Sequence, residues 1–468
     1  MNNYPLLIDG QLVQTGETLG IINPANEQVF ATVTTAGEKE LEQAVSAATK
    51  AFHLFKNSSM EERQALLIKI ADTIADNKEK IATALTLEQG KTLQLAEMEV
   101  EFALIFCRHF ASMSITPEIL IDNDEQRVEI HHVPLGVIAG IMPWNFPFLI
   151  SVYKLAPVLL AGNSLILKPA PTTPITTAIL GGLIKDIVPP GLVNILVDDE
   201  GLGAKITAHK GIAKISFTGS TETGRKIMES AAPTLKRLTL ELGGNDAAIV
   251  LDDVDPKAIA ERIFGSAFIN SGQTCIALKR LYVQEKVYDE LCQELANLAN
   301  AAIVGDGMDS QSQFGPVQNK AQYEKVKSYI ESGHRDGTVI AGGEILDGPG
   351  YFIPLTIVKD IHNGTPLVDE EPFGPVLPII KFQDVDEALA HANNSPYGLG
   401  GSVWSNDLEK AHTIAEKMDA GTIWINQHTA FGPNIPMCPM KQSGLGIEWG
   451  KEGLHEFTSL KVINIAKG

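Results

Sequence analysis

Three observations predict an α/β fold built on a mostly parallel, doubly wound sheet. Between Leu135 and Glu241, short apolar runs alternate with helical stretches, as in chained strand–helix–strand units. The same alternation restarts after Gly243-Gly244. The chain has 468 residues, enough for two or three domains with large cores.

Residues 1–35 read as short strands and turns. From about Glu38 to Phe110 the pattern is helical: Leu41, Val45, Ala48 and Phe52 recur at helical spacing, as do Leu66, Ile70 and Ile74. The charged residues between them are expected to form a solvated face. Arg127 to Val133 alternates like a half-exposed strand and is expected at a sheet edge that needs a partner. His131 and His132 are neighbours on that strand and point to opposite faces, which argues against a shared metal.

The runs at 137–142, 164–167, 193–197, 212–217 and 238–241 are expected strands. Helices are expected at 147–161, 174–188, 201–209 and 220–232. Sheets of this kind bind ligands at the carboxyl ends of their strands. Phe217-Thr218-Gly219-Ser220 sits at one such end, where Gly219 lets the backbone approach a phosphate and a helix start offers free N–H groups. The GxGxxG fingerprint is absent, and Arg225-Lys226 follows Gly224 where a P-loop needs Lys-Ser/Thr. By pattern alone a nucleotide site and plain turn chemistry both remain open here.

In the second α/β region, strands are expected at 247–251, 280–283, 376–382, 401–404 and 422–425, with a long helix over 286–302. Asp252, Asp253 and Asp255 read as turn and cap residues. A helix from Pro256, capped by Asp255, is expected to stop at Gly272, leaving Cys275 on a loop. A thiol on a loop can meet a ligand; it can also be a small buried hydrophobe.

Composition narrows the functions. Hydrophobic residues make up 44% and charged residues 20%, ordinary for a globular protein. A formal net charge of -20 disfavours nucleic acid and anionic membrane as partners. The most apolar region, 138–167, is interrupted by Pro143, Asn145, Pro147, Lys154 and Pro157, so a span of about 20 apolar residues does not fit. No secretory or transit signal is read at the N-terminus. Cys107, Cys275, Cys292 and Cys438 form no CxxC pair, which leaves neither a zinc site nor a disulfide framework; a reducing cytoplasm is expected and no metal.

Four patches stand out beside Gly272-Gln273-Thr274-Cys275. They are Pro143-Trp144-Asn145-Phe146-Pro147, Lys168-Pro169, Glu241-Leu242-Gly243-Gly244 and Glu370-Glu371-Pro372-Phe373-Gly374-Pro375. Singly, each could be a turn, a snorkelling lysine or a cap. Together, in this order and spacing, they resemble the aldehyde dehydrogenase superfamily over roughly residues 8–462.

The resemblance implies a Rossmann-type cofactor domain (1–115 and 136–242), an α/β catalytic domain (243–442) and a small bridging, oligomerising sheet (116–135 and 443–468). It implies oxidation of a small-molecule aldehyde to a carboxylic acid with NAD or NADP. Cys275 would be the nucleophile, forming a thiohemiacetal and then a thioester. The Asn145 amide and the Cys275 backbone N–H would hold the oxyanion. Glu241 would activate water, which favours hydrolysis over transfer to coenzyme A. Lys154 and Glu448 match a secondary proton relay.

For the cofactor, the resemblance assigns Lys168 to the adenosine ribose, Gly219 and Ser220 to the pyrophosphate, and Gly224 to close helix packing. It assigns Glu371 to the nicotinamide ribose with Phe373 nearby, and Trp144 and Leu242 to the nicotinamide end. Pro171 stands where many NAD-using members carry Glu, which opens the site to NADP. Phe146, Leu149, Ile150, Tyr153, Thr274, Ile276, Phe431 and Met437 are the expected pocket residues. Met437-Cys438-Pro439 departs from the family's usual Phe-Gly-Gly. A homodimer or homotetramer is expected.

Overall fold

The computed structural model describes residues 2–199 and 201–468; Met1 and Glu200, which fall inside the expected cofactor domain, lie outside it. Two large sheets organise the chain. The first has eight strands in the order Gly444–Leu445, Arg237–Glu241, Lys214–Thr218, Val137–Ile141, Ser164–Lys168, Val193–Ile195, Leu6–Ile8, Gln11–Val13. Its five central strands run parallel, and the flanking strands are antiparallel. The central strands are nearly continuous apolar runs, because helices cover both faces. The helices are Pro147–Leu160, Ile175–Ile184, Leu202–Ala208 and Thr221–Ala231, close to the expected ranges.

The second sheet has seven strands in the order Thr338–Ala341, Thr356–Lys359, Val376–Phe382, Leu278–Gln284, Asp246–Val250, Gly400–Trp404, Thr422–Ile425. Only the first of these is antiparallel to its neighbour. One core, including Leu291, Leu295 and Trp404, packs on one face, and another, including Tyr329, Leu367 and Val403, on the other. The sequence reading did not find the helix Lys320–Asp336 or the strands Thr338–Ala341 and Thr356–Lys359. The helix does carry a helical period in Val326, Tyr329, Ile330 and Gly333, which the reading passed over; the two strands are only four residues each, with Gly337, Gly342 and Gly343 around the first.

Three expectations are corrected. The segment Gln126–Pro134 is not a sheet edge: it is the centre of a three-stranded sheet, between Glu118–Asp122 and Thr458–Ala466. It is paired along both edges, and its residues are half-buried apart from the buried Val128. The charges within 38–110 are not all solvated: Glu88, Lys91 and Glu99 are buried. Lys91 Nζ lies 2.5 Å from Glu99, and Glu88 and Glu99 accept from the first N–H groups of the helices Ile175–Ile184 and Pro147–Leu160. Carboxylates at helix N-termini satisfy donors the helix itself leaves free.

The third correction concerns the helix before Cys275. It runs over Pro256–Phe268 and is capped by Asp255, but it ends four residues before Gly272. Asn270, Ser271 and Gly272 have φ of 52°, 54° and 72°. Three successive left-handed residues break the helix and reverse the chain. Gly272 is required in this turn, since a Cβ there would sit 2.2 Å from the Gly374 carbonyl oxygen.

The C-terminal stretch divides. Gly444–Leu445 joins the first sheet, Leu454 and Phe457 enter its core, and only Thr458–Ala466 lies in the three-stranded sheet. No helix of the described residues is long and apolar enough to cross a membrane.

Candidate active site

The loops at the carboxyl ends of the first sheet face the loop that carries Cys275. A cavity of about 270 Å³ opens between them. Asn145 follows the strand Val137–Ile141, Gly219 and Ser220 follow Lys214–Thr218, and Glu241 ends Arg237–Glu241. From the second sheet come Cys275, ahead of Leu278–Gln284, and Glu371, ahead of Val376–Phe382. All six line the cavity, as do Trp144, Phe146, Leu149, Ile150, Tyr153, Leu242, Thr274, Ile276, Phe373, Phe431, Met437 and Glu448. Lys154, Lys168, Pro171 and Gly224 do not line it.

Asn145 is fixed from both ends. Its Nδ2 donates to the Gln273 carbonyl at 3.0 Å, and its own carbonyl accepts from Lys91 Nζ at 2.9 Å and Asn270 Nδ2 at 3.1 Å. The amide group carries a second N–H. Beside it, burial pushes the Cys275 thiol up to about 12; Lys279 opposes this, while Glu241, Glu371 and Asp246 reinforce it.

Glu241 is buried, and its Oε1 has no partner among the described residues. Burial raises its carboxyl well above the ordinary carboxylate range; the Glu448 charge adds to this and Lys154 opposes it. Lys154 Nζ contacts Glu448 Oε1 at 2.7 Å and Ser216 Oγ at 2.8 Å, behind the cavity wall.

The cofactor candidates form two groups. Near the cavity, Ser220 caps the helix Thr221–Ala231, its Oγ accepting from the Thr223 N–H. A Cβ on Gly243 would meet Glu371 Oε2 at 2.5 Å, so glycine keeps that space open. Glu371 Oε1 accepts from the Gly244 N–H at 3.1 Å and lies 3.4 Å from Lys279 Nζ. Farther along the sheet, Lys168 Nζ lies 2.6 Å from Asp198. Gly224 packs against Leu242, since a Cβ there would approach its methyls to 2.7 Å. A helix start, an opening kept by glycine and a carboxylate with accepting capacity fit a dinucleotide.

An aromatic wall closes the cavity. Phe102 and Phe431 have ring centroids 5.2 Å apart, Phe431 and Trp449 5.5 Å, and Tyr153 and Trp449 5.7 Å. Leu95 and Met98 add apolar surface. Sequence reasoning missed Lys91, Glu99, Asp198, Lys279 and Trp449. A lysine directly after Gln89-Gly90 was the available signal for Lys91; Lys279 carried none.

A thiol, a buried carboxyl and an anchored amide line one cavity, the arrangement of a nucleophile, a base and an oxyanion donor. The aldehyde dehydrogenase family model matches residues 12–463, and the chain belongs to that family. A mitochondrial aldehyde dehydrogenase of Leishmania tarentolae is 37% identical, over 98% of this chain and 94% of that protein. The NAD+ complex of a Bacillus cereus aldehyde dehydrogenase superposes with a TM-score of 0.97 at 35% identity, covering 99% and 96% of the two chains. A Staphylococcus aureus betaine aldehyde dehydrogenase in complex with NAD+ gives 0.95 and 33%, covering 99% and 95%. The enzyme class and the α/β fold expected from the motifs are thereby shown; the chain is an oxidoreductase acting on aldehydes.

Proposed function

We propose that the protein oxidises an apolar aldehyde to its carboxylic acid with NAD, using Cys275 as nucleophile and Glu241 as the base that activates water. The observation that carries this reading is the convergence of Cys275, Asn145, Glu241 and Glu371 on one cavity from two different sheets. The Cys275 thiol gives up its proton to water, the thiolate sulfur attacks the aldehyde carbon, and the second Asn145 N–H with the Cys275 backbone N–H holds the oxyanion. Bound NAD supplies the hydride acceptor. Glu241 then takes a proton from water as it attacks the thioester. The Lys154–Glu448 pair passes that proton away from the cavity. Glu371 orients the nicotinamide ribose, and Gly219 and Ser220 hold the pyrophosphate.

NAD is favoured over NADP by Asp198. Pro171 leaves no carboxylate at its own position, but Asp198 neutralises Lys168 and puts a negative charge beside it. The aromatic wall supports a substrate with a flat or bulky apolar group. Residues 1–115 and 136–242 serve as cofactor domain, 243–442 as catalytic domain, and the three-stranded sheet as the contact between subunits of a homodimer or homotetramer. A reducing compartment, the cytoplasm, suits an enzyme whose thiol must stay free; all four cysteines are free.

The test is turnover of aliphatic, aromatic and cationic aldehydes with NAD and NADP, with and without coenzyme A. Free acid from apolar aldehydes with NAD is expected, and Cys275→Ala should bind NAD but oxidise nothing. Full activity in that variant, or acyl-CoA as the main product, would overturn the reading.

A further inference from the structure

We propose that Lys279 is a positioning residue that ties the nucleophile's loop to the ribose-binding carboxylate, so that Cys275 reactivity responds to cofactor occupancy; this rests on the roles proposed for Cys275 and Glu371. Lys279 lies on the strand Leu278–Gln284 with its side chain 3% exposed. Its Nζ donates to the Cys275 carbonyl at 2.5 Å and lies 3.4 Å from Glu371 Oε1. A buried ammonium is held only by partners that compensate its charge, and these two belong to separate loops. Moving either loop therefore disturbs the other.

The charges around the thiol give this link a direction. Lys279 favours the thiolate; Glu241, Glu371 and Asp246 oppose it. Lys325, whose Nζ donates to the Glu371 carbonyl at 3.2 Å, acts on Glu371 and not on the thiol's own loop. Tyr153 faces the same cavity. Ribose hydroxyls donating to Glu371 would spread its charge and weaken its opposition to the thiolate. Lys279 would then act on Cys275 with less competition.

The test measures carbamidomethylation of Cys275 by iodoacetamide in the full chain, read by mass spectrometry from pH 6 to 9 with and without NAD. In the parent protein NAD should raise the rate several-fold, and a fall would contradict the direction of the link. In Lys279→Met the rate at neutral pH should fall about tenfold, the size of one unit of thiol ionisation. Its pH profile should move to higher pH, and the NAD response should shrink to the part that Glu371 exerts on the thiol directly. Lys279→Arg should recover part of both. Should Lys279→Met not fold, Lys279→Gln, which keeps a donor but no charge, carries the test. Glu371→Gln should react faster than the parent and ignore NAD.

Unchanged rate, profile and NAD response in Lys279→Met overturn the proposal. If NAD still binds by fluorescence titration and Cys275→Ala stays inactive in that case, the catalytic reading survives without it. If the parent protein binds no NAD, both fail.

Discussion

Lys154 Nζ lies 2.7 Å from Glu448 Oε1, although the two residues are 294 positions apart in the chain. Ser216 Oγ donates to the same Glu448 oxygen at 3.0 Å. The pair is buried, and both members act on Glu241, in opposite senses. Glu448 holds the Glu241 proton on, and Lys154 helps to remove it.

A base works only when ionised, so the deacylation rate should rise with pH through the Glu241 ionisation. Glu448→Gln removes a negative neighbour, and the rising limb of kcat should move to lower pH. Lys154→Met leaves the repulsion uncompensated, and the limb should move to higher pH. Glu241→Gln should retain a burst of NADH and lose roughly 10²- to 10⁴-fold in steady-state kcat. Stopped-flow and pH–rate measurements check all three. Shifts of the same sign in Glu448→Gln and Lys154→Met would contradict the assignment.

The second prediction concerns the support of Asn145. Lys91 and Glu99 form a fully buried ion pair that also holds the Asn145 carbonyl and the start of the helix Pro147–Leu160. Removing one partner leaves a buried charge alone, which costs about 3–5 kcal/mol. Lys91→Met should lower the thermal midpoint and reduce kcat, because the Asn145 backbone loses a donor. Calorimetry and steady-state kinetics measure the two effects. A variant with the parent's stability would show that the pair is compensated elsewhere.

These two residues also show where sequence reasoning stopped. The sheets were legible because buried parallel strands are short apolar runs between helical stretches, as at Ile138, Ile166 and Ile215. The candidate site was legible because Asn145, Glu241, Cys275 and Glu371, which line one cavity, sit in short segments rich in Pro and Gly. Lys91, Glu99 and Lys279 are single charges in otherwise ordinary segments. Nothing local separates a buried, paired lysine from a solvated one, since its partner comes from elsewhere in the chain. The left-handed run at Asn270 and Ser271 was hidden for a similar reason: Asn tolerates that conformation singly, but contacts with Asn145 and Gly315 hold Ser271 in it as well.

The third prediction concerns cofactor choice. Pro171 carries no charge to repel a 2′-phosphate, whereas Asp198 pairs with Lys168 at 2.6 Å. Asp198→Asn should free the Lys168 charge and raise kcat/KM with NADP relative to NAD by roughly tenfold, the size of one ordinary charge contact of about 1.4 kcal/mol. A comparison of the two cofactors at low ionic strength decides it. An unchanged ratio would leave Lys168 without a part in discrimination.

The fourth prediction concerns assembly. The strand Thr458–Ala466 pairs over nine positions with Gln126–Pro134 and has no strand on its other side among the described residues. Leu460 and Val462 are 63% and 62% exposed on it, and Ile119 and Leu120 are 52% and 59% exposed on the opposite edge strand. A long apolar edge is a template for another chain, and soluble proteins cover such edges. Burying a large apolar side chain contributes about 1.5–3 kcal/mol, so Leu460 and Val462 together account for a substantial part of an interface. They lie two positions apart and so share one face of the strand. Light scattering should give a mass that is a multiple of 50.4 kDa for the parent protein. The double variant Leu460→Asp/Val462→Asp should shift it toward the single chain while the strand's backbone pairing with Gln126–Pro134 persists. A parent protein that runs as a single chain at micromolar concentration would sink the assignment of this sheet to subunit contact.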